Sequence, residues 1–312
     1  MAIHWYPGHM HKANKEMAEV LPQVDVIIEL LDARIPYSSE NPLIQKLASN
    51  KPHIKLLNKS DLADPEITQQ WQQYFEENSL VKTLAVNNKL NDRNQKIIDL
   101  CYKLAGKKSN AVKNLLVMIT GIPNVGKSSL INSLAGKMIA KTGNEPAITK
   151  GQQRINLGNG IMLLDTPGIL WPKVAHENSS YRLATTGAIK DTAMSYDDVS
   201  FFAAEYLLAN YPTLLTERFK LDALPPSELE FLETIGIKRG CLRSGGRVDL
   251  ERIGTIFLNE LRAGTLGQIS FETPSMVEKE KAEVKAEERE KELKQQQRLE
   301  ANKAKKRKAK KR

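Results

Sequence analysis

The stretch LLVMITGIPNVGKSSLIN, residues 115–132, limits the choice of fold more than any other part of the chain. An apolar run ends at Gly121, a short loop leads to Gly126, and Lys127 and Ser128 then open a segment with helical spacing. A strand, a glycine loop and a helix in that order form the context of a phosphate-binding loop. Its glycines let backbone N–H groups close around phosphate oxygens with no Cβ in the way. Asn124, Val125, Gly126, Lys127, Ser128 and Ser129 are therefore expected to contact a nucleotide. Lys127 would reach the β and γ phosphates, and the Ser128 hydroxyl would ligate Mg²⁺.

The surrounding sequence agrees with an α/β fold. Apolar runs at 24–31, 53–58, 81–86, 115–120 and 161–168 alternate with helical segments near 41–48, 64–78 and 92–104 and from Lys127 onward. Asp64-Pro65 supplies an N-cap and a first-turn proline, and Asp92 is expected to cap the next helix. Such alternation predicts a mostly parallel sheet with helices on both faces. VDVIIELL, 24–31, has one charge near each end, as a strand buried on both faces requires.

From about residue 175 only helical patterns remain, at 197–211, 226–237 and 249–264. In the last of these Leu250, Ile253, Phe257 and Leu261 share one face. The expected organisation is a nucleotide-binding domain over 1–174, a helical domain over 175–272 and a charged tail over 273–312. The middle of the tail can form a solvated helix with acid–base pairs, while its last ten residues are expected to be disordered when free.

Two further motifs complete the nucleotide chemistry. Asp165-Thr166-Pro167-Gly168 ends the run at 161–168. There Asp165 would hold Mg²⁺ through water and the Gly168 N–H would meet the γ phosphate. Asp-x-x-Gly alone is commonly a turn; its position downstream of a phosphate loop gives it weight. Thr149, in PAITKG, lies between the two motifs, where a mobile loop would bring a hydroxyl to the same metal. Asn58-Lys59-Ser60-Asp61 ends the run at 53–58. The Asp61 carboxylate can accept from guanine N1–H and the 2-amino group. Adenine offers neither donor, so a buried acceptor would discriminate by roughly 10⁴-fold or more. Asn58 would brace the loop and meet the purine, and the Lys59 stem would lie along the base. AVNN, 85–88, would add backbone N–H groups near Asn87.

The base-recognition motif precedes the phosphate loop, the reverse of the usual GTPase order. Moving 24–105 behind 168 restores ordinary order, with 106–114 as the joint. The sequence is thus that of a circularly permuted P-loop GTPase domain, a rearrangement tolerated because domain termini tend to lie close together.

The motifs NKSD, GIPNVGKS, PAIT and DTPG in that order, with DARIP at 32–36 and YPGHM at 6–10, resemble the circularly permuted GTPases of ribosome assembly. The likeness spans about residues 1–270. It implies a role for the YPGHM motif, and a large ribosomal subunit with its rRNA as partner. Ile169 stands where many GTPases carry a water-orienting glutamine, and it has no polar atom for that task, so slow intrinsic turnover is expected. His9 is the candidate to complete the site; a surface or RNA-contacting role for His4, His9 and His11 is the alternative. Asn124 would help hold a monovalent cation, K⁺, against the phosphates, as in potassium-activated GTPases.

Charge placement adds a partner. The chain carries a net +9, and eight Lys/Arg fall in the last ten residues: Lys303, Lys305, Lys306, Arg307, Lys308, Lys310, Lys311 and Arg312. Such a segment binds phosphate backbones without sequence preference and weakens steeply with salt; a mere solubilising tail is the bland alternative. Lys238, Arg239, Arg243 and Arg247 form a second basic group, either RNA-contacting or solvated. No membrane span, signal peptide or transit sequence is read, so a cytoplasmic, monomeric protein is expected, with Cys101 and Cys241 as inert thiols. Three functions remain open: a GTP-hydrolysing assembly switch, an RNA-binding protein with a nucleotide-sensing pocket, and a signalling GTPase with a protein target.

Overall fold

The apolar runs of the first half become the strands of one sheet. The structure, a computed structural model, describes residues 8–48, 50–87, 92–106, 114–140, 153–171, 174 and 176–309. In chain order the strands are β1 (Val26–Asp32), β2 (His53–Asn58), β3 (Val81–Ala85), β4 (Leu115–Gly121), β5 (Gln153–Asn156) and β6 (Ile161–Asp165). They pair in the order β3-β2-β1-β4-β6-β5. All neighbours are parallel except β5, which runs antiparallel to β6. β1 and β2 are buried at every position, as strands covered on both faces must be. Side-chain alternation divides the interior: Ile28, Ile119 and Leu163 join one cluster, and Ile27, Met118 and Leu164 join the other.

The helices around the sheet are α1 (Gly8–Val20), α2 (Pro42–Leu47), α3 (Pro65–Glu76), α4 (Arg93–Leu104) and α5 (Lys127–Ala135). Asp64 caps α3 by accepting from the Glu66 and Ile67 N–H groups at 2.9 and 3.3 Å. Asp92 does not cap α4 with its side chain. Its carboxylate pairs with Lys96 at 2.7 Å instead, the neighbour one turn along the helix. Two elements of this half were not expected. β5 is a short, mostly exposed edge strand whose polar sequence has no alternating signature. α1 buries Met10, Ala13 and Met17, a one-face spacing within an otherwise polar segment.

The second half contains α6 (Glu177–Thr185), α7 (Tyr196–Asn210), α8 (Pro212–Phe219), α9 (Glu228–Lys238) and α10 (Leu250–Arg262). α7, α9 and α10 match the expected helices, and α6 and α8 are additional. Contacts cross the expected boundary at 174/175. Arg182 of α6 meets Glu272, whose carboxylate accepts from the Ser38 N–H at 2.9 Å, and Trp71 Nε1 donates to the Glu272 carbonyl at 3.0 Å. Met1–Thr273 accordingly form one compact unit, and Pro274–Arg312 a second.

The second unit contains α11 (Pro274–Ala309). Glu287–Lys291 at 3.1 Å and Glu278–Lys281 at 2.9 Å are the acid–base pairs expected for a solvated helix. Helical backbone continues through 303–309, where disorder was expected; the Lys, Ala and Arg residues there are all good helix formers. Residues 310–312, with Lys310, Lys311 and Arg312, lie outside the described residues, as do the side chains of Lys303, Lys305, Lys306, Arg307 and Lys308. Among the described residues, no helix is long and apolar enough to cross a membrane.

Candidate functional site

Parallel pairing brings the motifs to one edge of the sheet. Asp32 is in register with Asn58, Leu30 with Gly121, and Ile119 with Asp165, so β1, β2, β4 and β6 all deliver chemistry at their C-terminal ends. From the central pair, β1 leads outward to β2 and β3, while β4 leads the other way to β6. The adjacent ends of β1 and β4 therefore form a topological switch point, where open α/β sheets bind ligands.

At this switch point the phosphate loop joins β4 to α5. Gly126 has φ +99°, and a Cβ there would lie 2.4 Å from Asn58 Nδ2, so both conformation and space require glycine. Asn58 donates its side-chain amide to the Val125 carbonyl at 2.6 Å. The base-recognition motif is thus bonded to the phosphate loop, although 67 positions separate the two residues. Asn124 also adopts a left-handed conformation, φ +58°, and donates from Nδ2 to the Gly187 carbonyl at 2.9 Å. Ser128 is partly buried and Ser129 exposed, both in the first turn of α5. Free N–H groups at that helix end suit an anion.

Lys127 is buried, and its ammonium bonds Asp165 Oδ1. Burial lowers the Lys127 pKa and raises that of Asp165, while the contact between them opposes both shifts. Asp165 Oδ2 is buried without a hydrogen-bond partner. An acceptor-only oxygen in that position fits a cation directly or through its water. The residues present therefore suit Mg²⁺, with Asp165 and the Ser128 hydroxyl to hold it. Among the described residues no group of three or more His, Cys, Asp or Glu could form an all-protein metal cage. A site completed by phosphate and water is what Mg²⁺ favours. Thr149, the third expected ligand, lies outside the described residues.

The DTPG loop is packed against the phosphate loop. A Cβ at Gly168 would stand 3.1 Å from Pro123 Cα, and the Ile169 N–H donates to the Gly121 carbonyl at 3.2 Å. The Ile169 side chain is buried, and being hydrocarbon it has no polar group to offer the phosphates. Beside it, the Leu170 N–H lies 3.4 Å from Met10 Sδ, which ties the loop to α1. His9 precedes Met10 in the first turn of that helix; its side chain lies outside the described residues.

The base-recognition loop has an anchor that sequence reading left without a role. Lys59, at φ +58°, donates to Asp32 Oδ2 at 3.0 Å. Arg34 grips the same carboxylate twice, Nε to Oδ1 at 2.9 Å and Nη2 to Oδ2 at 2.7 Å. Burial alone would raise the Asp32 pKa, but Arg34 and Lys59 hold it well below the usual carboxylate range. Asp32 and Arg34 belong to DARIP, and the position of an acidic residue at a strand's C-terminal end was the signal available. Asp61 is exposed and lines a cleft of about 720 Å³ with Asn58, Lys59 and Asn124 on one side and Gly187, Asn259 and Arg262 on the other. The Val86 N–H donates to the Leu57 carbonyl at 2.9 Å and the Ser60 N–H to the Val86 carbonyl at 3.2 Å, which seats residues 86–87 beside the motif. The Asn87 carbonyl accepts from Arg93 Nη1 at 2.8 Å.

Residues 116–205 match the family described as "50S ribosome-binding GTPase". Ribosome biogenesis GTPase A of Priestia megaterium is 45% identical over 286 residues, covering 89% of this chain and 99% of its own. The protein of the same name from Thermotoga maritima is 33% identical over 270 residues, 86% of this chain and 94% of its own. Among solved structures, GDP-bound YlqF superposes with a TM-score of 0.61 at 28% identity, covering 83% of this chain and 99% of that one. Fold, motif geometry and these likenesses agree: the chain belongs to the ribosome biogenesis GTPase A family and is a GTP-hydrolysing enzyme of ribosome biogenesis.

Proposed function

We propose that the protein is a GTP-dependent switch that docks on the maturing large ribosomal subunit, favours a late assembly state and leaves after hydrolysis. The observation that carries this reading is the double attachment of the nucleotide site. Leu170, just past the γ-phosphate-sensing glycine, is held by Met10 of α1, and Asn124 of the phosphate loop is held by Gly187. A change at the γ phosphate therefore acts directly on an N-terminal helix and on the helical half of the chain. The basic residues at the end of α11 supply the electrostatic attraction to rRNA, whereas in the 238–247 segment Arg239 and Arg243 are ion-paired with Glu260 and Asp249. Relatives that match nearly end to end bear ribosome biogenesis in their names.

In this reading Asp61 and Asn58 select guanine, Lys127 leaves Asp165 to meet the β and γ phosphates, and the Gly168 N–H senses the γ phosphate. Asp165 and Ser128 would hold Mg²⁺, which would supply positive charge to offset that of the phosphate oxygens. His9 orients the attacking water in place of a glutamine, and Asn124 would hold K⁺, which would supply positive charge beside the phosphates. The protein acts as a monomer in the cytoplasm.

The test is GTP turnover in potassium buffer with and without isolated large subunits, repeated with His9→Ala and in sodium. Strong stimulation by subunits, lost in His9→Ala at unchanged GTP affinity, is expected. Tight GTP binding with no stimulation would favour a nucleotide-sensing RNA binder, and binding that survives high salt and nuclease would favour a protein target.

A further inference from the structure

Asp32, the first residue of DARIP, is a buried charge beside the base-recognition loop to which no role has been given beyond anchoring Lys59. It is 1% exposed, it sits at the end of β1 beside Asn58, and its Oδ2 accepts from both Arg34 Nη2 and Lys59 Nζ. Its own N–H is used by Ser39 Oγ at 3.1 Å, and the Arg34 N–H returns to Oδ1 at 3.1 Å. Arg34 is fixed in turn by its contact with the Thr186 carbonyl at 3.4 Å. The carboxylate therefore has little freedom to rotate, and the Oδ2 it shares with Arg34 also holds the Lys59 ammonium.

Lysine carries a flexible four-carbon stem and a compact charge, and ordering such a stem at a binding site costs affinity. Lys59 is held at both ends: its backbone is in the left-handed region within the turn closed by Leu62 N–H to Lys59 O at 2.9 Å, and its ammonium is tied to Asp32. Only the stem between these anchors is left to present an apolar face to the cleft, which Lys59 lines together with Asn58 and Asp61.

We propose that Asp32 and Arg34 are positioning residues for guanine-nucleotide binding, a fixed carboxylate that stretches the Lys59 side chain flat so that its stem packs against the purine face. The proposal rests on the reading of 58–61 as the guanine loop. Removing the Asp32 charge would leave Arg34 and Lys59 as two facing cations, and their repulsion would drive the ammonium out of the site.

A base contact and a phosphate contact are separable by ligand. The affinities of GDP and of inorganic pyrophosphate are measured by calorimetry for wild type, Asp32→Asn, Lys59→Ala, Lys59→Met and the double variant Asp32→Asn/Lys59→Ala. Asp32→Asn should weaken GDP about tenfold, the size expected for losing a charged hydrogen bond, and leave pyrophosphate unchanged. The double variant should bind GDP as Lys59→Ala does, since Asp32 acts through Lys59. Equal losses for GDP and pyrophosphate, or full additivity in the double variant, would overturn the proposal. If Asp32→Asn does not fold, Lys59→Met decides: it keeps an apolar stem without the ammonium and should also lose GDP affinity, whereas wild-type affinity refutes the clamp. Asp61→Asn is the control on the underlying reading. If it leaves GDP and IDP selectivity unchanged, the guanine loop itself is misassigned; if it shifts selectivity while Asp32→Asn does nothing, only the clamp is wrong.

Discussion

Asn124 Nδ2 lies 2.9 Å from the Gly187 carbonyl, a hydrogen bond between the phosphate loop and the second residue past the end of α6. The four carbonyls from 184 to 187 are all taken by groups outside that helix. Arg262 of α10 donates to Ala184 and Thr185, Arg34 to Thr186 and Asn124 to Gly187. Cationic donors at a helix C-terminus are favoured by its dipole. Here they also bring the phosphate loop, the base loop and α10 to one short segment.

Asn124→Ala removes the tie and, with it, the side-chain oxygen proposed for K⁺. Hydrogen exchange around 184–188 should become faster, and the advantage of K⁺ over Na⁺ in GTP turnover should vanish. Faster exchange with the K⁺ preference intact would confine Asn124 to the structural bond.

Asp61→Asn should weaken GTP binding by roughly a hundredfold or more, because an amide cannot accept from both guanine donors and leaves a polar mismatch. Xanthine carries a carbonyl where guanine has its amino group, so competition binding should show the variant shifted toward xanthosine nucleotides. Retention of the wild-type order would remove Asp61 from base selection.

Gly168→Ala inserts a Cβ 3.1 Å from Pro123 Cα, backbone that cannot rotate away. The DTPG loop must shift by a few tenths of an ångström. Single-turnover hydrolysis is expected to fall about tenfold or more while GDP affinity changes little, since misplacement at the reacting end acts on the chemical step.

Glu272→Ala should destabilise the compact unit by about 3–5 kcal/mol, the cost of leaving a buried charge such as Arg182 uncompensated. The carboxylate is fully buried and takes the Ser38 N–H at 2.9 Å and Arg182 Nη1 at 3.4 Å. Urea unfolding followed by tryptophan fluorescence measures the change directly, because Trp71 donates to the Glu272 backbone. A loss below about 1 kcal/mol would mean that the network is incidental.

Much of this architecture was legible before folding was considered. β2 begins and ends where its apolar run does, α3 begins at the Asp64-Pro65 signal, and α10 buries Ile253, Phe257 and Leu261 as their spacing requires. The two elements missed in the first half carry weak local signals. β5 has one buried residue in four, and α1 buries only a narrow stripe of a polar helix.

Residue chemistry and motif order, both local properties, determined that the chain is α/β, that it binds guanine nucleotide and that its GTPase order is permuted. Three further relationships were decided by tertiary structure. Asn58 reaches Val125, Asp32 is shared by Arg34 and Lys59, and Asn124 meets Gly187. The first and third join residues more than sixty positions apart, and the second depends on how β1 sits beside β2. No local pattern encodes such pairings. The first two exist because parallel strands with buried faces place their C-terminal ends together, where polar groups denied to water must find one another, and the third because α6 ends beside the phosphate loop.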